Sequence, residues 1–408
     1  MKVISGNPYI KIEEEKIKLD NFYLDEIFQI SKTPFMIILE NRIRNNIETF
    51  NTVFQSYFGE KYFGFYSFKA NFLPEVCSIV NSEEFGAEVI SLPELELALK
   101  IGFPSNKIIA GGPYLNPDFI DKAIQNEVRE IVAYNIKDII EINKKALDFN
   151  KVQNICLRIN SNKYGSRLGM NFNGDNDLKL KEVIHNSKNI KVTTLLSHFS
   201  TQMNSLDQFK KNLNTIIQAK KILEKLGIDS FKINLGGGFP EAVIMHKKQL
   251  ELIASKLKDL LDMANLKYEE VYFEPGRYLV GDAGIFVAKV INSQKNRWIL
   301  LNLGTNVIPK FAKCPLRFYN VSRINSPHKY KTSIAGIVPT DQDVLVKDYF
   351  FTKEINEGDF ILITNVGAYT LTFSNRFPYA LPPIFKINDS DLLKIFDPKI
   401  DRDFSIKI

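Results

Sequence analysis

Eight short apolar runs, at 62–69, 87–91, 107–110, 130–134, 155–160, 193–198, 231–235 and 270–273, recur at the interval expected when β-strands alternate with helices. The helices between them are equally readable. Between 207 and 226, Phe209, Leu213, Ile216, Ile217 and Leu223 form one apolar stripe, and Gly227 stands where a C′ glycine would end it. Eight strands, each followed by a helix, predict an α/β chain built as a (β/α)8 barrel. A doubly wound open sheet is the competing architecture, but no Gly-x-Gly-x-x-Gly follows the first strand.

The flanks read differently. Residues 1–33 look like short strands and a helix ending at Lys32-Thr33-Pro34; a strand at 35–39 and an amphipathic helix at 41–56 follow. From about 280 the runs at 285–292, 298–303, 332–338 and 359–364 come without helices. A chain of 408 residues exceeds what one core usually serves. We therefore expect two domains: the barrel over 35–278, and a β-rich barrel or sandwich formed by 1–34 together with 279–408.

Bulk properties exclude several function classes. A net charge of +6, with the basic residues scattered, argues against nucleic acid as a partner. Cys77, Cys156 and Cys314 form no Cys-x-x-Cys, and His185, His198, His246 and His328 have no metal-ligand spacing, so neither disulfides nor a metal site is expected. No Gly-x-Ser-x-Gly marks a hydrolase elbow. Glu13-Glu14-Glu15 stands where a signal peptide needs an apolar run, and nothing resembles a membrane span, so the cytoplasm is the default compartment.

In a barrel of this kind, ligand-binding groups lie at the C-terminal ends of the strands. Those ends read Lys69, Glu88, Arg158, His198, Gly236-Gly237-Gly238 and Glu274-Pro275-Gly276-Arg277. The bland reading of Lys69 is a strand's exit to solvent; the sharper one is a desolvated amine, its pKa lowered, that attacks a carbonyl. For Glu274 the bland reading is an ion pair with Arg277; for His198, a satisfied histidine at a strand end. The glycines serve a plain turn or let backbone N–H groups approach a phosphate. Arg158 is costly to bury without an anionic partner. One amine, one imidazole, one carboxylate, one arginine and a triple glycine are together the groups that pyridoxal phosphate (PLP) requires.

Phe68-Lys69-Ala70-Asn71, Gly86-Ala87-Glu88-Val89-Ile90-Ser91 with Glu94-Leu95, Leu157-Arg158-Ile159-Asn160, His198-Phe199-Ser200-Thr201-Gln202, Asn234-Leu235-Gly236-Gly237-Gly238-Phe239, Glu274-Pro275-Gly276-Arg277 and Gly367-Ala368-Tyr369 follow in that order. In this the chain resembles the fold-type III PLP-dependent decarboxylases, the group of diaminopimelate and ornithine decarboxylases, over nearly its whole length. The resemblance implies a barrel of the alanine racemase type with a β-domain, PLP as cofactor, and a head-to-tail homodimer with shared active sites. It implies Lys69 as the Schiff-base lysine, His198 stacked on the ring and Glu274 at the pyridine nitrogen. Gly237, Gly238, Gly276, Arg277, Thr201 and Tyr369 fall around the phosphate, with Glu88 and Arg158 completing the cofactor site.

The substrate side departs from that family. Where its members carry a proton-donating Cys followed by an acid, supplied by the partner subunit, this chain has Pro339. A slip of one residue would offer Thr340, a weaker acid. Lys310 stands for the arginine that holds a distal carboxylate, and Asn320 lies near the aspartate used for a distal amine. Lys310, Asn320 and Asp341 are carried over as substrate residues. The resemblance thus implies a PLP-dependent decarboxylase, releasing CO2 from Cα of an unusual amino-acid-derived substrate, free or tethered to an acidic carrier protein. Two alternatives stand beside it: a racemase or epimerase with Tyr319 or Tyr369 as the base facing Lys69, and a non-catalytic homologue.

Overall fold

The computed structural model describes residues 2–172 and 174–401. It begins with β1 (Lys2–Ile4), β2 (Asn7–Glu13), β3 (Lys16–Leu19) and β4 (Phe22–Tyr23), an antiparallel sheet of four strands, followed by α1 (Leu24–Ile30), β5 (Phe35–Leu39) and α2 (Glu40–Phe58). The barrel then runs β6 (Tyr62–Ser67), α3 (Pro74–Ser82), β7 (Gly86–Val89), α4 (Leu92–Ile101), β8 (Ile108–Ala110), α5 (Pro117–Gln125), β9 (Glu130–Ala133), α6 (Ile136–Asp148) and β10 (Gln153–Arg158). It continues through α7 (Asp175–Asn186), β11 (Ile190–Leu196), α8 (Leu206–Lys225), β12 (Lys232–Asn234), α9 (Lys247–Met263) and β13 (Glu270–Phe273). All eight strands are parallel, and β13 closes onto β6.

One expectation about this barrel is corrected. Its last strand is followed only by the single turn α10 (Arg277–Val280) before the chain leaves for the second domain. The vacant outer position is filled by α2, which precedes the first barrel strand. Phe50, Phe54 and Phe58, spaced four apart on α2, present one aromatic stripe to the barrel. Phe54 meets Phe273 of β13 with ring centroids 4.1 Å apart, and Phe50 meets Phe239 at 5.1 Å. A helix that buries three phenylalanines takes the position whichever end of the strand series it comes from.

Inside the barrel, side chains alternate by strand parity. Phe65, Ile109, Val132, Cys156, Leu196 and Tyr272 form an apolar interior cluster. Tyr62 and Tyr66 of β6 instead join the cluster beneath the helices. Two residues beyond each interior position, the same parity reaches the C-terminal mouth.

The remaining elements are β14 (Gly284–Ser293), β15 (Trp298–Leu301), β16 (Arg317–Asn320), β17 (Tyr330–Ala335), β18 (Val344–Phe351), β19 (Phe360–Thr364), α11 (Thr370–Phe373), β20 (Ile384–Ile387) and β21 (Leu392–Phe396). They form a nine-stranded sheet that includes β5, which pairs antiparallel with β14 and parallel with β20. A boundary at residue 35 puts β5 with the barrel; its hydrogen bonds go to the second sheet. The small N-terminal sheet pairs with no strand of the larger one but packs on its face, Ile10, Ile12 and Leu19 against Phe35, Ile37, Ile285 and Leu362. The strands β16, β18, β20 and β21 had no counterpart among the sequence expectations. Among the described residues no helix is long and apolar enough to cross a membrane.

One buried carboxylate ties these parts together. Asp282, fully buried, accepts from Arg42 Nη2 at 2.7 Å and Arg42 Nε at 3.2 Å. It also accepts from Asn46 Nδ2 at 2.8 Å and the Val243 N–H at 3.1 Å, while its carbonyl accepts from Asn7 Nδ2 at 2.8 Å. The N-terminal sheet, α2, a barrel loop and the crossover to the second domain thus meet at one residue.

Candidate active site at the barrel mouth

A cavity of about 250 Å3 opens at the C-terminal end of the barrel. Lys69, Glu88, Arg158, His198, Thr201, Gly237, Gly238, Glu274, Gly276, Arg277 and Tyr369 all line it. Ten come from the barrel and continue the inward parity of its strands or the turns after them. Tyr369 comes from the second domain.

Its arrival depends on a close crossing. A Cβ on Gly367 would lie 1.9 Å from the Val280 carbonyl oxygen, so only glycine lets these backbones meet. Asn71 Nδ2 donates to the Gly367 carbonyl at 2.9 Å, and the Tyr369 N–H donates to the Ala70 carbonyl at 2.6 Å. Tyr369 is thereby fixed one residue from Lys69, and its ring lies 4.8 Å from the Arg277 guanidinium.

Lys69 Nζ pairs with Glu88 Oε2 and donates to Ser67 Oγ at 2.8 Å, while Ser67 Oγ also bonds Glu88. Burial works to lower the pKa of this amine, but Glu88, Tyr369 and Glu274 outweigh it and hold the pKa above the ordinary lysine value. The sequence reading of a lowered pKa is thus reversed in the unliganded chain. A carboxylate in contact stabilises the ammonium more than desolvation disfavours it.

Glu274 makes no ion pair with Arg277. It accepts from Asn234 Nδ2 at 2.7 Å, whereas Arg277 Nη1 donates to Glu241 Oε1 at 3.0 Å and Nη2 to the Ala312 carbonyl at 2.7 Å. Burial, reinforced by the like charge of Glu88, lifts Glu274 to about 7 against the opposing pull of Lys69. His198 is pushed down to about 3 by burial and by Arg158 and Lys69, so the imidazole is neutral, and among the described residues its Nδ1 has no hydrogen-bond partner. Among the described residues Arg158 has no carboxylate partner; Nη1 donates to Tyr134 Oη at 2.8 Å and Nη2 to the His198 carbonyl at 3.0 Å, leaving a buried Nε unpartnered.

The glycine turn is shaped for close approach. A Cβ on Gly237 would sit 2.3 Å from the Glu274 carbonyl oxygen, and one on Gly238 2.6 Å from Met203 Cε. Among the described residues, the Gly237 and Gly238 N–H groups donate to no acceptor of the chain. Free amides, a neutral flat imidazole, a carboxyl poised near neutrality and a buried arginine nitrogen without a partner fit a phosphorylated pyridine ring in this cavity.

Thr340, Lys310, Asn320 and Asp341 are not brought to it. Asn320 is fully buried in β16, its amide donating to Asp359 Oδ2 at 2.9 Å, so it serves the β-domain core. Lys310 is exposed and donates to the Gln342 carbonyl at 2.8 Å. Thr340 and Asp341 are exposed and line a separate depression with Pro339. Tyr319 also lies elsewhere, packed against the N-terminal sheet with its ring 6.0 Å from His328, so it does not face Lys69 within one chain.

The sequence reading missed Ser67, Tyr134, Asn234 and Glu241. Ser67 and Tyr134 were findable, each two residues beyond an inward-facing residue of its strand. Asn234 was quoted as part of a motif but given no task. Nothing in the spacing marks Glu241.

Known proteins share this fold. A family model described as the pyridoxal-binding domain of pyridoxal-dependent decarboxylases matches residues 40–281. The chain is 24% identical over 397 residues to diaminopimelate decarboxylase of Methanocaldococcus jannaschii, covering 91% of this chain and 90% of that protein. It is 26% identical over 391 residues to the L-glutamyl-(BtrI acyl-carrier protein) decarboxylase of Niallia circulans, covering 88% of this chain and 89% of that one. The solved diaminopimelate decarboxylase of M. jannaschii superposes with a TM-score of 0.87 at 22% identity, over 96% of this chain and 95% of its own. The lysine/ornithine decarboxylase of Vibrio vulnificus complexed with putrescine gives 0.77 at 17% identity, over 90% of this chain and 97% of its own.

Proposed function

Since the chain belongs to the pyridoxal-dependent decarboxylases, and is a PLP-dependent carboxy-lyase acting on an amino acid, we propose that its substrate is joined through its side chain to a carrier protein. Two observations support that reading. The relative from N. circulans, by its name, acts on a glutamyl group held on an acyl-carrier protein. Asn320, near the position that would grip a free amino acid's distal amine, is committed to the β-domain core.

The observation that carries the catalytic assignment is the convergence of Lys69, His198, Glu274 and the glycine turn on one cavity. When bound, PLP acts as an electron sink that weakens the Cα–carboxylate bond. Lys69 supplies the amine that holds the cofactor, and Glu88 with Ser67 receives and returns the proton on Nζ. Glu274, oriented by Asn234, would hold the pyridine nitrogen, and a protonated ring nitrogen and an ionised Glu274 would stabilise each other. His198 offers an uncharged face to the ring. The amides of Gly237 and Gly238, with Arg277 and Tyr369, would hold the phosphate. Arg158 keeps His198 in place through its carbonyl.

The same reading takes two copies to complete the site. Thr340 and Asp341 lie outside their own chain's cavity, and exposed aromatics, Phe311, Phe373, Phe377 and Tyr379, are found on the segments around α11 and the turn at 310–312. A homodimer that buries these rings would bring one chain's 339–341 segment to its partner's cavity.

The deciding experiment is CO2 release by the PLP-loaded protein from carboxyl-labelled amino acids, offered free and as side-chain thioesters. Turnover of a thioester above any free amino acid supports the reading; turnover of free diaminopimelate or lysine alone would sink it.

Two further outcomes are expected. Glu274→Gln should lower kcat by about 10²-fold, the size of loss when one preorganised electrostatic group is removed. It should leave the Lys69 linkage intact, read from the absorbance of the bound cofactor. Second, Glu274 and the buried Glu94 both stand at about 7 in the unliganded fold, Glu94 mainly through burial. Their pKa values are raised on folding, so the native state binds more protons than the unfolded chain between about pH 4.5 and 7. The melting temperature of the cofactor-free protein should therefore fall as pH rises through that window. The loaded protein, with a cation beside Glu274, should fall less.

A further inference from the structure

The cavity at Lys69 measures about 250 Å3, below the roughly 300–1,000 Å3 of sites that enclose a drug-sized ligand. Cofactor and the α-amino-acid head would fill it, so any longer substrate must leave it. Beside it lies a cleft of about 520 Å3, between the start of α6 and residues 169–172 with the first turns of α7. Tyr134 lines both spaces.

We propose that this cleft is a second binding site, which takes the linker of a carrier-bound substrate: a flexible amide-containing arm that ends in a phosphate. The inference rests on the tethered-substrate reading and adds where the tether runs. Three features suit that arm. Ile136, Met170 and Phe172 give the cleft apolar walls for its methylenes, and the exposed Asn171 offers an amide donor and acceptor for its peptide-like groups. Lys137 and Lys179 are exposed at the cleft and have no carboxylate partner among the described residues, which leaves them for a phosphate. At the wall shared with the cavity, Arg158 donates Nη1 to Tyr134 Oη while its buried Nε stays unpartnered. The same two lysines lie where the acidic surface of a carrier domain would approach.

The test compares two acyl donors on the loaded enzyme. One is the γ-glutamyl or β-aspartyl thioester of 4′-phosphopantetheine; the other is the same acyl group on N-acetylcysteamine, which lacks the long arm and its phosphate. Wild-type enzyme is expected to favour the phosphopantetheine thioester through a lower KM. Lys137→Glu combined with Lys179→Glu, and separately Asn171→Trp, should raise that KM about tenfold. Turnover of the N-acetylcysteamine thioester should stay unchanged, which also reports that the variants are folded. If wild type prefers the long arm and both variants keep that preference, the cleft assignment is wrong and the tethered reading stands. If wild type releases no CO2 from either thioester, the tethered reading fails and takes the cleft with it.

Discussion

Lys69→Ala is expected to lose CO2 release by about 10⁴-fold or more, the scale of loss when a covalent group that acts with its neighbours is removed. Among the described residues, Lys69 is the only amine that lines the cavity. The substitution should also abolish the visible band of covalently held cofactor, while the glycine amides still bind PLP reversibly. Fold should persist: the Lys69 side chain is 34% exposed and belongs to no apolar cluster. A folded Lys69→Ala protein that keeps both the band and measurable turnover would overturn the assignment of the amine. Glu88, left without its cation, should make the variant modestly less stable than wild type.

Arg42→Met is expected to have the largest effect on stability. The Arg42 side chain is 8% exposed and Asp282 not at all. Removing the guanidinium leaves a buried carboxylate with two neutral donors, Asn46 and the Val243 N–H. Breaking one side of such a pair costs about 3–5 kcal/mol, because the remaining charge is stranded rather than because the pair itself is worth that much. The loss should appear in urea unfolding of the cofactor-free protein, and it should be largely recovered in Arg42→Met combined with Asp282→Asn. Since Asp282 sits where four parts of the molecule meet, the single variant should also loosen the approach of Tyr369 and weaken PLP binding. A single variant as stable as wild type would mean that water reaches Asp282.

The barrel was legible because strand-forming runs and amphipathic helices are local properties. Lys69, His198, Glu274 and the glycine triplet were legible because they follow those runs at the strand ends. Several assignments failed for physical reasons that no single segment carries. The strand at 35–39 is apolar at every position, as a buried barrel strand would be, and only its hydrogen-bond partners place it in the other sheet. The stripe on α2 says that the helix packs, and not that it fills the gap after β13. Asn320 looks like a polar residue free for a ligand until Asp359, 39 positions later, takes its amide. The sign of the Lys69 shift depended on whether burial or Glu88 dominates, and the turn after β6 that carries Lys69 does not include Glu88, which lies on β7.

By itself the sequence determined which polar residues end the barrel strands and which side of each strand they share, because alternation along a strand is set by backbone geometry. Only the tertiary structure decided which of them meet. Ring closure of eight strands set the distances among side chains that are far apart in the chain, the glycine crossing at Gly367 brought in Tyr369, and the second domain's pairing withheld Asn320. Those outcomes depend on long-range contacts, whose free energies no local pattern of residues encodes.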